Sequence, residues 1–276
     1  MVYSDKITFV IFTYNEEARI ERVIRNFSGW ARILIVDNHS TDATRDISEK
    51  MGAEVFLNKN NGWFEDYETI QRIQDRVETP WLYWGFADEL LDHETLDVII
   101  QAVESGKYKI VNIARKNYYY GRFCHDAYAD RLNRIFEKDA IDFFGNVIHS
   151  FGKPAVLNDK ILFLNSKIYF VRHFISNNAK SYLATIDRYT DIQAKEHAGF
   201  SIFRLFAHLV KSFLKNYIFG GAYKAGKPGL FIVLQMMYYQ CILLMKIYEK
   251  DNSLSIDGIE KLNNLEREKM LKVQNK

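Results

Sequence analysis

Three clusters of polar residues in the first ninety positions have the composition of a ligand-binding site. Each cluster directly follows an apolar segment, and the three are Thr13-Tyr14-Asn15-Glu16, Asp37-Asn38-His39-Ser40-Thr41-Asp42 and Ala87-Asp88-Glu89. A single cluster of this kind is typical of an ordinary helix cap. Three clusters at successive strand ends favour one shared cleft, because ligands bind outside the carboxyl ends of the strands of an open parallel sheet. The sequence has no glycine-rich phosphate loop, which disfavours a Rossmann dehydrogenase and a P-loop nucleotidase.

The segments before these clusters predict the sheet that positions them. Continuous apolar or β-branched runs are typical of strands buried on both faces. The predicted strands are 7–12, 33–36, 53–57 and 81–86, and the predicted helices between them are 16–27, 41–51 and about 64–77. Strands that alternate with helices of this length predict right-handed β-α-β units and a largely parallel sheet.

After residue 107 the pattern changes to shorter strands with tight turns. We expect strands at 110–114, 118–123, 134–137 and 161–170, followed by a helix at 181–197 and a polar helix or frayed end from about 260. No repeat and no low-complexity segment interrupts this order.

Composition excludes several classes of protein. Hydrophobic residues make up 48% of the 276 residues and charged residues 26%, which excludes disordered and fibrous chains. A net charge of +2 argues against nucleic-acid binding, which leaves a strongly basic footprint. The two cysteines cannot form a disulfide framework, which favours a reducing compartment. The first six residues lack a long apolar run, so we expect no signal peptide and an intracellular protein.

The stretch from Gly199 to Lys250 is apolar and basic, with seven lysines or arginines against one acid, Glu249. Within it, residues 200–219 predict a helix with one wide apolar face and a separate stripe of Arg204, His208, Lys211 and Lys215. Such a helix suits the surface of an anionic membrane, and the alternative is a helix packed on the sheet with its charges in solvent.

The uncharged run from Pro228 to Met245 has 18 residues, the lower bound for crossing a bilayer. A spanning helix, an interfacial or dimer-forming helix and an ordinary core helix all remain open for this run. Together with the basic helix before it, the run favours peripheral attachment to a membrane.

Two groups of motifs carry a family resemblance that covers about residues 6–250. The text "FVIFTYNEEARIERVI" followed by "ILIVDNHSTDAT" resembles the nucleotide-binding half of a family 2 glycosyltransferase with the GT-A fold. The segments "YADRLNRIF", "GNVIHS", "IDRYTDIQAKE" and "KNYIFGGAYKAGKPGL" resemble a bacterial subgroup that includes lipopolysaccharide-core β-glucosyltransferases. The resemblance implies an α/β fold with a mostly parallel GT-A-type central sheet flanked by helices. We expect a catalytic domain over 1–198 and a helical, membrane-facing extension over 199–276.

The resemblance also implies roles for individual residues. Asp37 would accept a hydrogen bond from the uracil N3–H or contact the ribose of a UDP-sugar. Asp88 would hold Mg²⁺ or Mn²⁺, and Arg134 would lie near the diphosphate or the acceptor. His173 would touch the metal or the diphosphate, and its alternative is an ordinary surface or core histidine. The remaining residues of the nucleotide-sugar pocket would be Thr13, Tyr14, Asn15, Glu16, Asn38 and Ala87.

The chain departs from the family pattern at two positions. Phe86 stands where the family's metal motif has its first aspartate, and Ser150 stands where the subgroup has the glutamate expected as general base. An inverting transfer needs a base within reach of the acceptor hydroxyl, and a serine alone cannot serve. The candidates that could replace the glutamate are His149, Asp130 and Asp126.

The sequence therefore predicts an inverting glycosyltransferase at the cytoplasmic face of the cell membrane. It would move a hexose from a UDP-sugar to a glycan or lipid-linked acceptor in bacterial surface polysaccharide or lipopolysaccharide synthesis. Two alternatives stay open. One is a transferase to polyisoprenyl phosphate, and the other is a non-catalytic or weakly active GT-A domain that binds nucleotide or glycan.

Overall fold

The computed structural model describes residues 3–60, 67–145, 151–176, 178–196, 199 and 201–274, which fall into two compact units. The first unit comprises Met1–Gly121 and Tyr128–Ile175, and the second comprises Arg122–Ala127 and Ser176–Lys276. The boundary near residue 175 differs from the predicted boundary at 198. The helix Ala179–Glu196 belongs to the second unit, because it packs along the helix Lys227–Asp251.

The first unit alternates strands and helices, and then continues mainly as strands. Its helices are α1 Ile20–Phe27, α2 Thr44–Lys50, α3 Tyr67–Arg76 and α4 His93–Glu104. The strands in chain order are β1 Ile7–Thr13, β2 Arg32–Asp37, β3 Glu54–Leu57, β4 Trp81–Phe86, β5 Glu89–Leu90, β6 Ile110–Tyr119, β7 Arg122–Phe123 (a segment of the second unit), β8 Asp130–Glu137, β9 Ile141–Asp142, β10 Lys153–Pro154, β11 Ile161–Phe163 and β12 Phe170–Ile175.

The main sheet has the strand order β3-β2-β1-β4-β8-β6-β12-β5, with β11 beside β6. Strand β1 lies between β2 and β4 and is parallel to both, so Thr13 is opposite Asp37, and Phe12 is opposite Phe86. Strand β8 runs antiparallel to β4 and β6, and β5 runs antiparallel to β12. The predicted mostly parallel sheet is confirmed, and the polar clusters after β1, β2 and β4 lie at one edge of it.

Helices cover both faces of the sheet, which explains why its central strands are apolar throughout. On one face, α1 buries four apolar side chains that recur at helical spacing: Ile20, Val23, Ile24 and Phe27. Together with apolar residues of α4, they pack against the odd-numbered side chains of β1. On the other face, α3 buries Ile70 and Ile73 against the even-numbered side chains. A strand covered on both faces needs no polar alternation.

Three elements differ from the predictions. The strands expected at 110–114 and 118–123 are largely the single long strand β6, whose polar residues Arg115 to Asn117 continue the pairing with β12. The strand expected at 161–170 is two strands, β11 and β12. Helix α4 was not predicted, although Asp92 caps it by accepting a hydrogen bond from the Thr95 backbone N–H at 2.9 Å.

The second unit is helical, with α5 Ala179–Glu196, α6 Ile202–Phe213, α7 Lys227–Asp251 and α8 Ile256–Gln274. Lys246 on α7 joins α7 to α5, because its ammonium lies 2.8 Å from Asp187 Oδ1 and 2.6 Å from Asp191 Oδ1. A π-helical turn, Leu214–Phe219, continues α6. Gly229 permits the close approach of α7 to the preceding turn, since a Cβ there would lie 1.8 Å from the Ala222 carbonyl oxygen.

Candidate active site

A buried carboxylate ties the ends of β1 and β2 together. Asp37 is fully buried, and its Oδ2 accepts a hydrogen bond from the Thr13 hydroxyl at 2.9 Å. Its Oδ1 accepts from the Ser40 backbone N–H at 2.8 Å, and the Ser40 hydroxyl also donates to Oδ2. These bonds fix the start of the loop after β2 relative to β1.

The loops after β1 and β2 are cross-linked by Asn15. Its side-chain oxygen accepts from the Thr41 N–H at 2.8 Å, and its own N–H donates to the Ser40 hydroxyl at 2.9 Å. Asn15 has φ of +55°, a left-handed conformation that asparagine tolerates better than most residues. The Glu16 N–H donates to the Thr44 hydroxyl at 2.7 Å, so the two loops form one surface at the edge of the sheet.

Asp88 and His173 lie together although 85 positions separate them in the sequence. Strand β5 follows Asp88 directly and pairs with β12, which places His173 opposite Glu89. The Phe174 N–H donates to the Asp88 carbonyl at 2.8 Å and fixes the backbone of this turn. As a result, Asp88 Oδ2 lies 3.2 Å from His173 Nε2.

The spacing of these two side chains fits a shared divalent cation. Two ligand atoms that each lie about 2.1 Å from a metal and subtend a right angle are about 3 Å apart. Within the residues that the structure describes, no group of three His, Cys, Asp or Glu side chains could hold a metal. Asp88 and His173 would therefore supply two ligands, and the other positions suit phosphate oxygens and water. Mg²⁺ prefers oxygen ligands, so the imidazole favours Mn²⁺.

The charges around Asp88 show that the loops after β1 and β4 converge. Burial raises the pKa of the Asp88 carboxyl, but the hydrogen bond and charge of His173, with the charges of Arg19 and Arg115, bring it below its usual range. Burial raises the pKa of Glu16, the ion pair with Arg19 at 2.5 Å partly offsets that rise, and the nearby charge of Asp88 adds to it. Glu16, Arg19 and Asp88 thus share one electrostatic neighbourhood.

A chain of ion pairs supports the turn after β4. Glu89 is buried and pairs with Arg134, which is 2% exposed. Arg115 lies 3.4 Å from Glu89 and also holds both carboxylate oxygens of Asp130, at 2.6 and 3.3 Å. The Phe86 ring lies over the Arg134 guanidinium, with its centroid 5.4 Å from Cζ.

Comparison with known proteins identifies the family. Residues 8–163, more than half of the chain, match the profile of glycosyl transferase family 2. The chain belongs to that family.

Other glycosyltransferases resemble it over most of its length. An uncharacterized glycosyltransferase of Rickettsia typhi is 26% identical over 88% of this chain and 87% of its own. One of Rickettsia bellii is 29% identical over 69% of this chain and 67% of its own. The structure of a mannosyltransferase of Pyrobaculum calidifontis in complex with GDP-Man and Mn²⁺ aligns with a TM-score of 0.48 and 12% identity, over 90% of this chain and 87% of that one.

Two of the predicted ligand contacts of this family 2 glycosyltransferase, those of Asp37 and Arg134, stay predictions, and the structure shows the partners that these side chains have within the chain. Asp37 is 0% exposed, and its carboxylate accepts hydrogen bonds from Thr13 and Ser40, contacts through which it would shape the pocket without touching the base. Arg134 is 2% exposed, pairs with Glu89 and lies against the Phe86 ring. In both cases the sequence gives no local signal of the buried partners that are distant in the chain.

The other residues predicted for the nucleotide-sugar pocket and the base differ in exposure and in location. Thr13 and Ala87 are buried in the floor of the site, and Tyr14 exposes 43% of its surface. Asn38 bonds with the backbone of Asn60 through both ends of its amide, at 2.9 and 2.7 Å. His149 and Ser150 lie outside the described residues, and Asp126 lies in the second unit.

Three polar residues of the site were not predicted: Arg19, Arg115 and Asn117. Arg19 pairs with Glu16 at the i,i+3 spacing, which is a local signal that sequence reasoning could have used. Arg115 and Asn117 lie on β6, and only the pairing of β6 with β8 and β12 brings them to the site.

Proposed function

We propose that this glycosyltransferase moves a hexose with inversion from a UDP-sugar to a glycan or lipid-linked acceptor, in bacterial surface polysaccharide or lipopolysaccharide synthesis. The observation that carries the proposal is the Asp88–His173 pair, held at 3.2 Å beside the joined loops after β1 and β2. Resemblance of the segments "YADRLNRIF" and "GNVIHS" to the lipopolysaccharide-core subgroup supports the choice of acceptor class.

The donor would bind across the joined loops. Tyr14, which is 43% exposed, would pack on the nucleobase, and the loop residues 15–16 and 38–41 would surround the nucleoside. Asp88 Oδ2 and His173 Nε2 would hold Mn²⁺ or Mg²⁺, which when bound neutralises charge on the departing diphosphate. Arg19 and Arg115 add positive charge to the same neighbourhood, as their effect on the pKa of Asp88 indicates.

In the transfer, the acceptor hydroxyl oxygen forms a bond to the anomeric carbon as the bond from that carbon to the UDP oxygen breaks. The hydroxyl proton must pass to a base. His149 and Asp130 are the proposed candidates. Asp130 is held by Arg115 through both oxygens, so its use as a base would require one of these contacts to open. Loss of turnover in Asp130→Asn but not in His149→Ala would assign the base to Asp130, and the reverse result would assign it to His149.

The transferase activity can be tested by measuring UDP release from a panel of UDP-sugars in the presence of Mn²⁺. Each UDP-sugar is assayed with and without a lipid-linked or glycan acceptor. Acceptor-dependent release from at least one UDP-hexose is expected. Nucleotide binding without turnover across the panel would contradict the proposal and favour the non-catalytic alternative. Turnover only with polyisoprenyl phosphate would instead support that acceptor.

We also propose that α6 attaches the protein peripherally to the anionic cytoplasmic face of the membrane. None of the residues of α6 is buried, and Phe203, Phe206 and Val210 expose 84%, 61% and 58% of their surfaces. A helix packed in the core would cover these side chains. A stripe of exposed basic side chains runs along α6 into the turn after it and consists of Arg204, His208, Lys211 and Lys215. This stripe complements anionic lipid headgroups.

Helix α7 supports the same proposal. Among the described residues it is the helix that is long and apolar enough to cross a membrane, judged by length and composition alone. Its exposed apolar side chains recur at helical spacing and therefore lie on one face: Phe231, Leu234, Tyr238, Met245 and Tyr248. Gly229, Ile232, Val233, Leu243 and Ile247 are buried within the chain, which favours an interfacial position for α7.

Flotation with liposomes tests the membrane proposal. The wild type should float with anionic vesicles at low salt and less at high salt, because each basic residue near the surface contributes about 1 kcal/mol and salt screens the attraction. Changing Arg204, Lys211 and Lys215 to Glu should release the protein. A matched charge reversal of the exposed Arg22, Arg25 and Lys50 in the first unit should not. A wild type that never floats would refute the proposal.

A further inference from the structure

Asn117 contacts the side of His173 that faces away from Asp88. The two residues are register partners on the adjacent parallel strands β6 and β12, so their side chains project from the same face of the sheet. Asn117 is 5% exposed, and its Oδ1 lies 2.8 Å from His173 Nδ1. The imidazole is thus held between an amide on one side and the Asp88 carboxylate on the other.

The orientation of the Asn117 amide is set by a second hydrogen bond. Its Nδ2 donates to the Tyr128 carbonyl oxygen at 3.1 Å. A carbonyl oxygen can only accept, so the nitrogen of the amide must point at Tyr128 and the oxygen must point at His173. Since Oδ1 can only accept, His173 Nδ1 must carry the proton of this contact.

This arrangement leaves Nε2 of the neutral imidazole without a proton. Its lone pair then faces Asp88 Oδ2 at 3.2 Å, and two acceptors at that distance do not form a hydrogen bond. Either a proton on Nε2, which makes the ring an imidazolium that donates to Asp88, or a metal cation between the two atoms satisfies both. We propose that Asn117 is a positioning residue that holds His173 as the Nδ1–H tautomer, so that Nε2 is available to bind a divalent metal together with Asp88.

The proposal rests on the metal site of the proposed function, and Asn117 acts on it through His173 alone. Removing a hydrogen-bond partner of a metal-ligating histidine typically weakens metal binding 10–100-fold. An aspartate at the same position would still accept from Nδ1–H, although it could not donate to Tyr128. The amide should therefore be replaceable by a carboxylate but not by a methyl group.

Titration of Mn²⁺ in the presence of saturating UDP, with free Mn²⁺ counted by electron paramagnetic resonance, measures the effect without turnover. Asn117→Ala should raise the Mn²⁺ Kd by about 10–100-fold, and Asn117→Asp should bind within about threefold of wild type, the scatter expected for one hydrogen bond. UDP affinity without metal should be unchanged in both.

Asn112→Ala is the matched control for a structural effect. Asn112 is also buried on β6, but it bonds with Asn133 at 2.8 Å and Arg131 at 2.9 Å rather than with a histidine. This variant should keep the wild-type Mn²⁺ Kd. An Asn117→Ala Kd within twofold of wild type, or an equal loss in Asn112→Ala, would overturn the proposal.

A measurement on the wild type decides the question even if Asn117→Ala does not fold. Long-range ¹H–¹⁵N correlation spectra distinguish the two imidazole tautomers, and His173→Gln identifies the signal of His173. The neutral ring should be the Nδ1–H tautomer, and an Nε2–H tautomer would overturn the role of Asn117. A wild type that binds no Mn²⁺ would refute the metal site, while the tautomer result would still decide what Asn117 does.

Discussion

Replacing Asp37 distinguishes a residue that shapes the nucleotide pocket from one that touches the nucleotide. Its carboxylate is 0% exposed and accepts from the Thr13 hydroxyl, the Ser40 N–H and the Ser40 hydroxyl. Asp37→Ala removes all three acceptor contacts and leaves one buried backbone N–H and two hydroxyls to find other partners. Asp37→Asn keeps the shape of the side chain and changes only its charge and one acceptor.

The expected destabilisation follows from these contacts. Hydrogen bonds to a charged group contribute about 1.5–3 kcal/mol each. Three of them at the lower end, with some relief from rotation of the hydroxyls, give a loss of about 3–5 kcal/mol in the free energy of unfolding for Asp37→Ala. In Asp37→Asn, Oδ1 still accepts from the Ser40 N–H, and the two hydroxyls can rotate to accept from the new amide. We therefore expect a loss of about 1–2 kcal/mol for Asp37→Asn.

Urea unfolding measures the stability of these variants, and calorimetry measures their UDP affinity. UDP binding should weaken at least tenfold in Asp37→Ala, because the loop after β2 loses its attachment to β1, and much less in Asp37→Asn. Asp46→Ala is the control, since it removes an exposed carboxylate of α2 near the same loop. If Asp37→Ala kept the wild-type stability but lost UDP binding, the carboxylate would contact the nucleotide directly and our reasoning would be wrong.

Three further predictions concern carboxylates of the first unit. Asp88→Asn should abolish metal-stimulated UDP release. Its free energy of unfolding should stay within about 1 kcal/mol of wild type, the scale of one hydrogen bond. Stimulation of this variant by Mn²⁺ would contradict the role of Asp88 as a metal ligand. Glu89→Gln and Arg134→Met should each lower the free energy of unfolding by about 3–5 kcal/mol, because each leaves a buried partner unpaired. The double variant should lose less than the sum of the two single losses. Additive losses in urea unfolding would argue against a stabilising Glu89–Arg134 ion pair. Burial raises the pKa of Asp92, but its bonds with the capped helix and with Arg172 at 2.6 Å lower it below its usual range. The ionised form is therefore stabilised by folding above the unfolded-state pKa, and that contribution is lost as pH falls through the lower folded-state pKa. Asp92→Ala should cost about 1 kcal/mol at pH 7 and less at pH 3, and an equal cost at both would contradict this linkage.

The sheet and the meeting of its polar loops could be predicted because their signals are local. The apolar runs at 7–12, 33–36 and 81–86 identify strands without reference to any other part of the chain, and the helices between them require parallel pairing. The polar residues that follow each run then lie at one edge of the sheet. Asn15, Glu16 and Asp88 were located there from sequence, and the structure brings the loops that carry them together.

Only the tertiary structure decided how the side chains at that edge are used. Asp88 meets His173 because β5 pairs with β12, and Asn117 meets His173 because β6 lies on the other side of β12. In the sequence, Arg134 has the features of a residue that contacts a ligand. In the structure it is buried and pairs with Glu89, a residue 45 positions away. Burial and partnership depend on which strands become neighbours, and the antiparallel insertion of β8 between β4 and β6 has no local signal in the sequence. For the same reason, the apolar face of α6 was ambiguous in sequence, because a helical pattern records which residues share a face but not whether another part of the chain covers it.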